Sequence, residues 1–141
     1  MTPDVRAKLK SLLMKHEGFR QFVYTDTTSH LTIGFGRNLS DRGISSTEAM
    51  SLLDDDIFYF SSKLSHLLPY WDSIDAIRQI VLIDMCFNLG VNGLLQFQAM
   101  LTALQNKDYN FAAEEILNSK AHEQCPERYE QLAYIMKTGE L

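Results

Sequence analysis

Glu17, Asp26 and Thr32 stand out in the stretch HEGFRQFVYTDTTSHLTIGFG, residues 16–36. The glutamate precedes a glycine, the aspartate sits among turn formers, and the threonine follows just beyond them. Cleavage of a glycosidic bond needs two carboxyl groups in unlike settings, one protonated to serve the leaving oxygen and one ionised on the other side of the bond. Glu17 falls in the last turn of a predicted helix, where the negative end of the helix dipole disfavours ionisation. With apolar Phe19 close by, its pKa is expected to rise. Asp26, at an open polar turn, is expected to stay ionised. A hydroxyl at Thr32 suits the placing of a water between Asp26 and the sugar, giving net inversion by direct displacement. On spacing alone the signal is modest, because a helix-terminal glutamate and an aspartate that closes an Asx turn are also ordinary structural features.

These residues need particular elements around them. Thr2, Pro3 and Asp4 read as a helix N-cap, a first-turn proline and a favourable first-turn charge, and Val5, Leu9, Leu12, Leu13 and His16 recur at helical spacing until Gly18. From Phe19 to Arg37, β-branched and aromatic residues flank the turn formers TDTTS, and Leu31, Ile33 and Phe35 alternate with Thr32, Gly34 and Gly36. This predicts a hairpin with one apolar face. Gly34 and Gly36, on the other face, would leave room for close approach to the backbone.

Beyond it, Ser45 and Glu48 fit a capping box opening a helix over 46–66, with Ala49, Leu52, Leu53, Ile57, Phe60 and Leu64 as its apolar stripe. Asp54, Asp55 and Asp56 point in different directions on such a helix and read as a solvated face. A buried central helix capped by Asp72 or Ser73 and ended by Gly90 is expected next. Shorter helices follow over 93–104 and 111–118, with a last one from Pro126 to near Gly139. The fold class is therefore α+β and mostly helical. It reads as a small β-containing lobe over 19–45, set between an N-terminal helix (1–18) and a helical part (46–141), with the 46–66 helix joining the lobes.

The chain has 141 residues, 45% of them hydrophobic, enough for a core in one domain. With 13 basic against 18 acidic residues its net charge is −5, which provides no overall field for phosphates or an anionic membrane. The first residues alternate charged and apolar side chains, so no signal peptide is expected, and no apolar run approaches the roughly 20 residues of a membrane span. Cys86 and Cys125 have neither metal-ligand spacing nor a local partner and are expected to be free, buried thiols. The chemistry asks for no cofactor and no metal.

The same residues resemble the catalytic signature of the phage-type lysozymes, glycoside hydrolase family 24, which reads Glu, eight residues, Asp or Cys, five residues, Thr. Glu17, Asp26 and Thr32 keep that spacing, and TIGFG is similar to the family's TIG-x-G strand. The likeness continues through GISSTEAMSLLDDDI, WDSIDAIRQIVLIDMCFNLG and CPERYEQLAYIMKTGEL, and so covers nearly the whole chain. It implies a lysozyme-like two-lobed fold and muramidase activity, with Glu17 as general acid, Asp26 as base or water-orienting carboxylate and Thr32 as its partner. It further implies that Arg128 pairs with the catalytic glutamate, opposing the pKa rise expected of Glu17, and that Phe87 borders the sugar groove.

The chain departs from the family at Arg37, where several members have histidine. It also departs at Ala121 and His122, where the best-known phage enzyme has a larger aromatic. As partners the resemblance implies peptidoglycan glycan strands, with no nucleic acid and no stable membrane insertion. The expected protein is a monomer made in the bacterial host cytoplasm that acts on the wall after release, in a phage setting through a holin. Two other readings share the fold: a catalytically silent wall-binding or phage-structural module, and a lytic transglycosylase. Intact Glu17, Asp26 and Thr32 speak against the first, and a water-holding pair against the second. A helical nucleic-acid binder would need a basic face that this acidic balance does not suggest.

Overall fold

The computed structural model describes residues 1–141. Helix α1 spans Pro3–Glu17, and its cap is the one predicted: the Thr2 hydroxyl accepts the Val5 N–H at 3.3 Å. Gly18 ends it at φ 68°, its N–H bonded to the Met14 carbonyl. An antiparallel sheet follows, with strands β1 (Arg20–Thr25), β2 (Leu31–Gly34) and β3 (Arg37–Asn38) in that order. The expected hairpin is β1–β2. The third strand has only two residues, too few for any alternation to show, and pairs because the chain reverses at Phe35 and Gly36.

The register sets Thr32 between Tyr24 on one side and Asn38 on the other. The face expected to be apolar is not buried: Leu31 is 50% and Phe35 45% exposed, whereas Thr32 on the opposite face is 4% exposed. A sheet of such short strands lacks the area to cover a face, and Phe35 instead packs on Phe19, with ring centroids 5.5 Å apart.

Helix α2 spans Ser46–Leu67 and opens with the expected capping box, in which Ser45 Oγ accepts the Glu48 N–H and Glu48 Oε2 accepts the Ser45 N–H. Of its apolar stripe only Leu64 is buried, with Phe60 partly covered. Asp54, Asp55 and Asp56 are exposed, as expected. A 3-10 turn over Trp71–Ser73 precedes α3 (Ala76–Leu95). That helix is capped by Asp75 rather than Asp72 or Ser73, because the Asp75 carboxylate is the one that accepts the Arg78 N–H. Gly90, at φ 72° and ψ 168°, interrupts the helical backbone where the sequence predicts the stop, and a second, short helical stretch runs on from it to Leu95. Helices α4 (Gln98–Gln105), α5 (Tyr109–Leu117), α6 (Lys120–Gln124) and α7 (Pro126–Thr138) complete the chain. The five-residue α6, capped by Ser119, is too short for a sequence period to reveal, while α7 stops at left-handed Gly139 as predicted.

The chain divides into two compact units, Met1–Leu52 and Leu53–Leu141, with α2 running through the boundary. In the first unit Thr32 is the one buried residue. The second has a core built on Leu64, Leu82, Met85, Met100, Ile116 and Tyr129. Ala121 is buried there, and the large aromatic in this region is Tyr129, fully buried one helix along, whose hydroxyl donates to Asn88 Oδ1 at 2.6 Å. Cys86 and Cys125 are both free, the first buried with its thiol pushed up to about 11 by desolvation, the second half-buried at the start of α7. No single helix is long and apolar enough to cross a membrane.

Arg78, 8% exposed, ties the beginning of α3 to the end of α7. Its Nε donates to the Met136 carbonyl at 2.7 Å, one terminal nitrogen to Asp75 and the other to the Lys137 carbonyl, and its guanidinium lies 3.4 Å from the centroid of the Tyr109 ring. Those carbonyls belong to the last turn of a helix and have no onward helical donor. Arg78→Met keeps the packing but strands them, and is expected to lower stability by about 3 kcal/mol, seen as a lower urea midpoint at unchanged slope.

Candidate active site

The residues singled out from sequence fall into two groups. Glu17, Asp26 and Thr32 belong to the first unit, Phe87 and Arg128 to the second.

Glu17 is the last residue of α1 and is exposed. Its side chain lies against the β2–β3 turn: a Cβ placed on Gly36 would stand 2.8 Å from both Cδ and Oε2 of the Glu17 carboxyl. The glycine thus makes room for the carboxylate, and the Phe19–Phe35 contact fastens the end of α1 to the same turn.

Asp26 closes the β1–β2 turn. Its N–H donates to the His30 carbonyl, and its Oδ1 accepts three hydrogen bonds, from the N–H of Thr28 (2.8 Å), the hydroxyl of Thr28 (2.9 Å) and the N–H of His30 (2.9 Å). Its Oδ2 accepts none within the protein. The bond from the His30 N–H, followed by those from Thr28, holds the carboxyl below the usual aspartate value, so Asp26 is an anion with one oxygen tied and one available. Thr32 Oγ1 donates to the His30 carbonyl at 3.1 Å, which leaves its lone pairs able to accept a hydrogen bond from a water. Asp26 and Thr32 are therefore brought together through His30, whose carbonyl receives a bond from each.

In the second unit Phe87 stacks on Phe60, with centroids 5.0 Å apart, and lines a cavity of about 350 Å³ with Leu53, Ile57, Ile80, Ile83, Asp84 and Arg128. Arg128, for which the resemblance implies a pairing with Glu17, is bonded here to Asp84: its Nε donates to Oδ1 at 2.7 Å and a terminal nitrogen to the Asp84 carbonyl at 3.0 Å. Asp84 carried no signal in the sequence, since an aspartate in an apolar helix gives no hint of a partner 44 positions on.

Two further features escaped sequence reading. One is the His30 side chain, which contacts Thr28 and Asp41. The other is Arg37, which forms a two-point ion pair with Glu48 and donates to the Gly43 carbonyl, joining β3 to the capping box of α2. Arg37 and the Ser45 N–H hold Glu48 at a pKa of about 2, against an ordinary 4.5. A group whose folded value is lowered stabilises the fold fully above its unfolded value and loses that contribution as pH falls through the folded one. The melting temperatures of wild type and Glu48→Gln are thus expected to differ most above pH 4.5 and to converge towards pH 2. A gap that persists at the acid end would contradict this.

Comparison with known proteins gives the same direction. The sequence profile described as phage lysozyme matches residues 14–127. The chain is similar to probable T4-type lysozyme 1 of Dictyostelium discoideum, at 26% identity over 96% of both chains, and to probable T4-type lysozyme 2 of that organism, at 25% over 96% of both. It is also 26% identical to the pre-baseplate central spike protein Gp5 of Enterobacteria phage T4, a match that takes in 94% of this chain and 28% of the spike protein.

Proposed function

Since the chain belongs to the phage lysozyme family and is a lysozyme-like cell-wall hydrolase, we propose that it is a muramidase, cutting the β-1,4 bond between N-acetylmuramic acid and N-acetylglucosamine in peptidoglycan with inversion. The observation that carries this reading is the state of Asp26: ionised, immobilised through Oδ1, with Oδ2 left for a water beside the Thr32 hydroxyl.

Glu17 gives its proton to the glycosidic oxygen as the bond to the anomeric carbon breaks. A water donates one hydrogen to Asp26 Oδ2 and the other to Thr32 Oγ1, so its lone pair faces that carbon. As it attacks, its proton passes to Asp26. The open polar setting of Asp26 keeps it a base, and the Thr32 hydroxyl, already committed as a donor to His30, presents only an acceptor to the water. Arg128 and Phe87 are read as supporting and sugar-facing groups of the second unit. The protein acts on glycan strands as a monomer, after release from the host cytoplasm.

Digestion of purified peptidoglycan tests this. Reducing N-acetylmuramic acid ends that first appear as the α anomer by proton NMR are expected. A β anomer would mean retention through a glycosyl-enzyme, and anhydro ends would mean transglycosylase chemistry.

A further inference from the structure

His30 is the point at which the Asp26 turn is joined to the loop after β3. Its Nδ1 lies 2.6 Å from Thr28 Oγ1, and its Nε2 lies 3.2 Å from Asp41 Oδ2. Asp41 is itself held by Asn38, whose side-chain amide donates to Oδ2 at 3.0 Å and whose side-chain oxygen accepts the Asp41 N–H. The direction of each bond follows from what each group can offer. The Thr28 hydroxyl has one hydrogen, and it points to the Asp26 carboxylate, which can only accept. Thr28 Oγ1 must then accept from His30, so Nδ1 carries a hydrogen. Nε2 faces the Asp41 carboxylate at ion-pair distance, and Asp26 Oδ1 lies 3.7 Å from Nδ1, so two anions flank the ring. A ring that donates through Nδ1 and has a carboxylate beside Nε2 is in the setting that favours the imidazolium, the form with both nitrogens protonated.

We propose that the His30 side chain, anchored by Asp41, is a positioning residue that fixes the Asp26 carboxylate through the Thr28 hydroxyl, and that it does so in its doubly protonated form. The charged groups facing the ring are Asp26, whose Oδ1 is 3.7 Å from Nδ1, and Asp41. When the ring loses a proton, one of its two contacts weakens. Either Asp41 releases it, or Thr28 turns its hydrogen to Nδ1 and takes it from Asp26. In both cases the base loses part of what orients it, although Thr28 N–H and His30 N–H still hold Oδ1.

The kinetic half of this proposal rests on Asp26 being the base, and the tests keep the two apart. Turnover of soluble peptidoglycan fragments would be followed against pH for wild type, His30→Ala, His30→Gln, Thr28→Val, Asp41→Asn and the Thr28→Val/His30→Ala double variant. Melting curves would confirm that each is folded. His30→Ala is expected to lower kcat about tenfold with KM little changed, and to remove the fall in activity that accompanies imidazole deprotonation. His30→Gln, which keeps a donor for Thr28, should recover part of the loss and show no such fall. Asp41→Asn should move the fall to lower pH. Because Thr28 and His30 act in series, the double variant should be no worse than the poorer single one. Independent losses, or a pH profile unchanged in His30→Ala, would overturn the proposal.

Nitrogen-15 NMR of the ring reads the contact without any assay. Two protonated nitrogens in wild type at working pH, becoming one in Asp41→Asn, support it, and a neutral ring in wild type overturns it. If Asp26→Asn proves as active as wild type, it is the reading of Asp26 as base that fails, and the ring spectrum still decides whether His30 is the imidazolium held by Asp41.

Discussion

Glu17→Gln is expected to reduce release of muropeptides by about 10²–10⁴-fold while leaving the melting temperature unchanged, the range general acid catalysis ordinarily supplies. Glutamine keeps the length and planarity of the side chain and loses only the transferable proton. Stability should not respond, because within its own unit the Glu17 carboxylate forms no hydrogen bond or ion pair and lies at the exposed end of α1. Thr32→Ala should cost less activity, since it removes one of two groups that hold the water and none that moves a proton. Initial rates on the same peptidoglycan preparation provide the comparison, and equal losses in the two variants would mean that the threonine does more than position.

Gly36→Ala is expected to be the most damaging change that leaves every reacting residue in the sequence unaltered. The new methyl would stand 2.8 Å from the Glu17 carboxyl carbon and Oε2, and the backbone there has φ 75°. The contact is with the far end of a flexible side chain, so Glu17 can rotate away. The steric conflict then costs little stability but displaces the acid, for which a loss of about 10²-fold in kcat is expected. The left-handed backbone adds about 1–2 kcal/mol of destabilisation.

Gly34→Ala separates the two effects. Gly34 has φ 69° with nothing within 4 Å of where its Cβ would be, so it carries the backbone strain without the clash. Similar melting temperatures with activity lost only in Gly36→Ala would place the effect at Glu17. Equal activity losses would assign it to the turn as a whole.

Much of this protein is legible along the chain because it depends on neighbours in sequence. The Thr2 cap, the stop at Gly18, the Ser45–Glu48 capping box and the Gly139 stop satisfy backbone groups within a few residues, Pro126 at the start of α7 has no N–H to satisfy, and each is where the sequence predicts it. The same holds for Asp26 at its turn, whose side chain accepts from residues two and four positions on.

Where local rules offer several caps, tertiary packing chose among them. Asp75 caps α3 ahead of Asp72 and Ser73 because the 3-10 turn takes up those residues. The two-residue β3 exists only because β2 is beside it.

The ion pairs between distant residues are of this second kind. Arg37 finds Glu48 eleven positions on, the His30 ring reaches Asp41 across the sheet, and Arg128 meets Asp84 across 44 residues. A charged side chain carries in its sequence neighbourhood no record of a partner that chain reversal brings to it. Sequence alone therefore determined which residues could do the chemistry, and the tertiary structure decided which groups hold them in place.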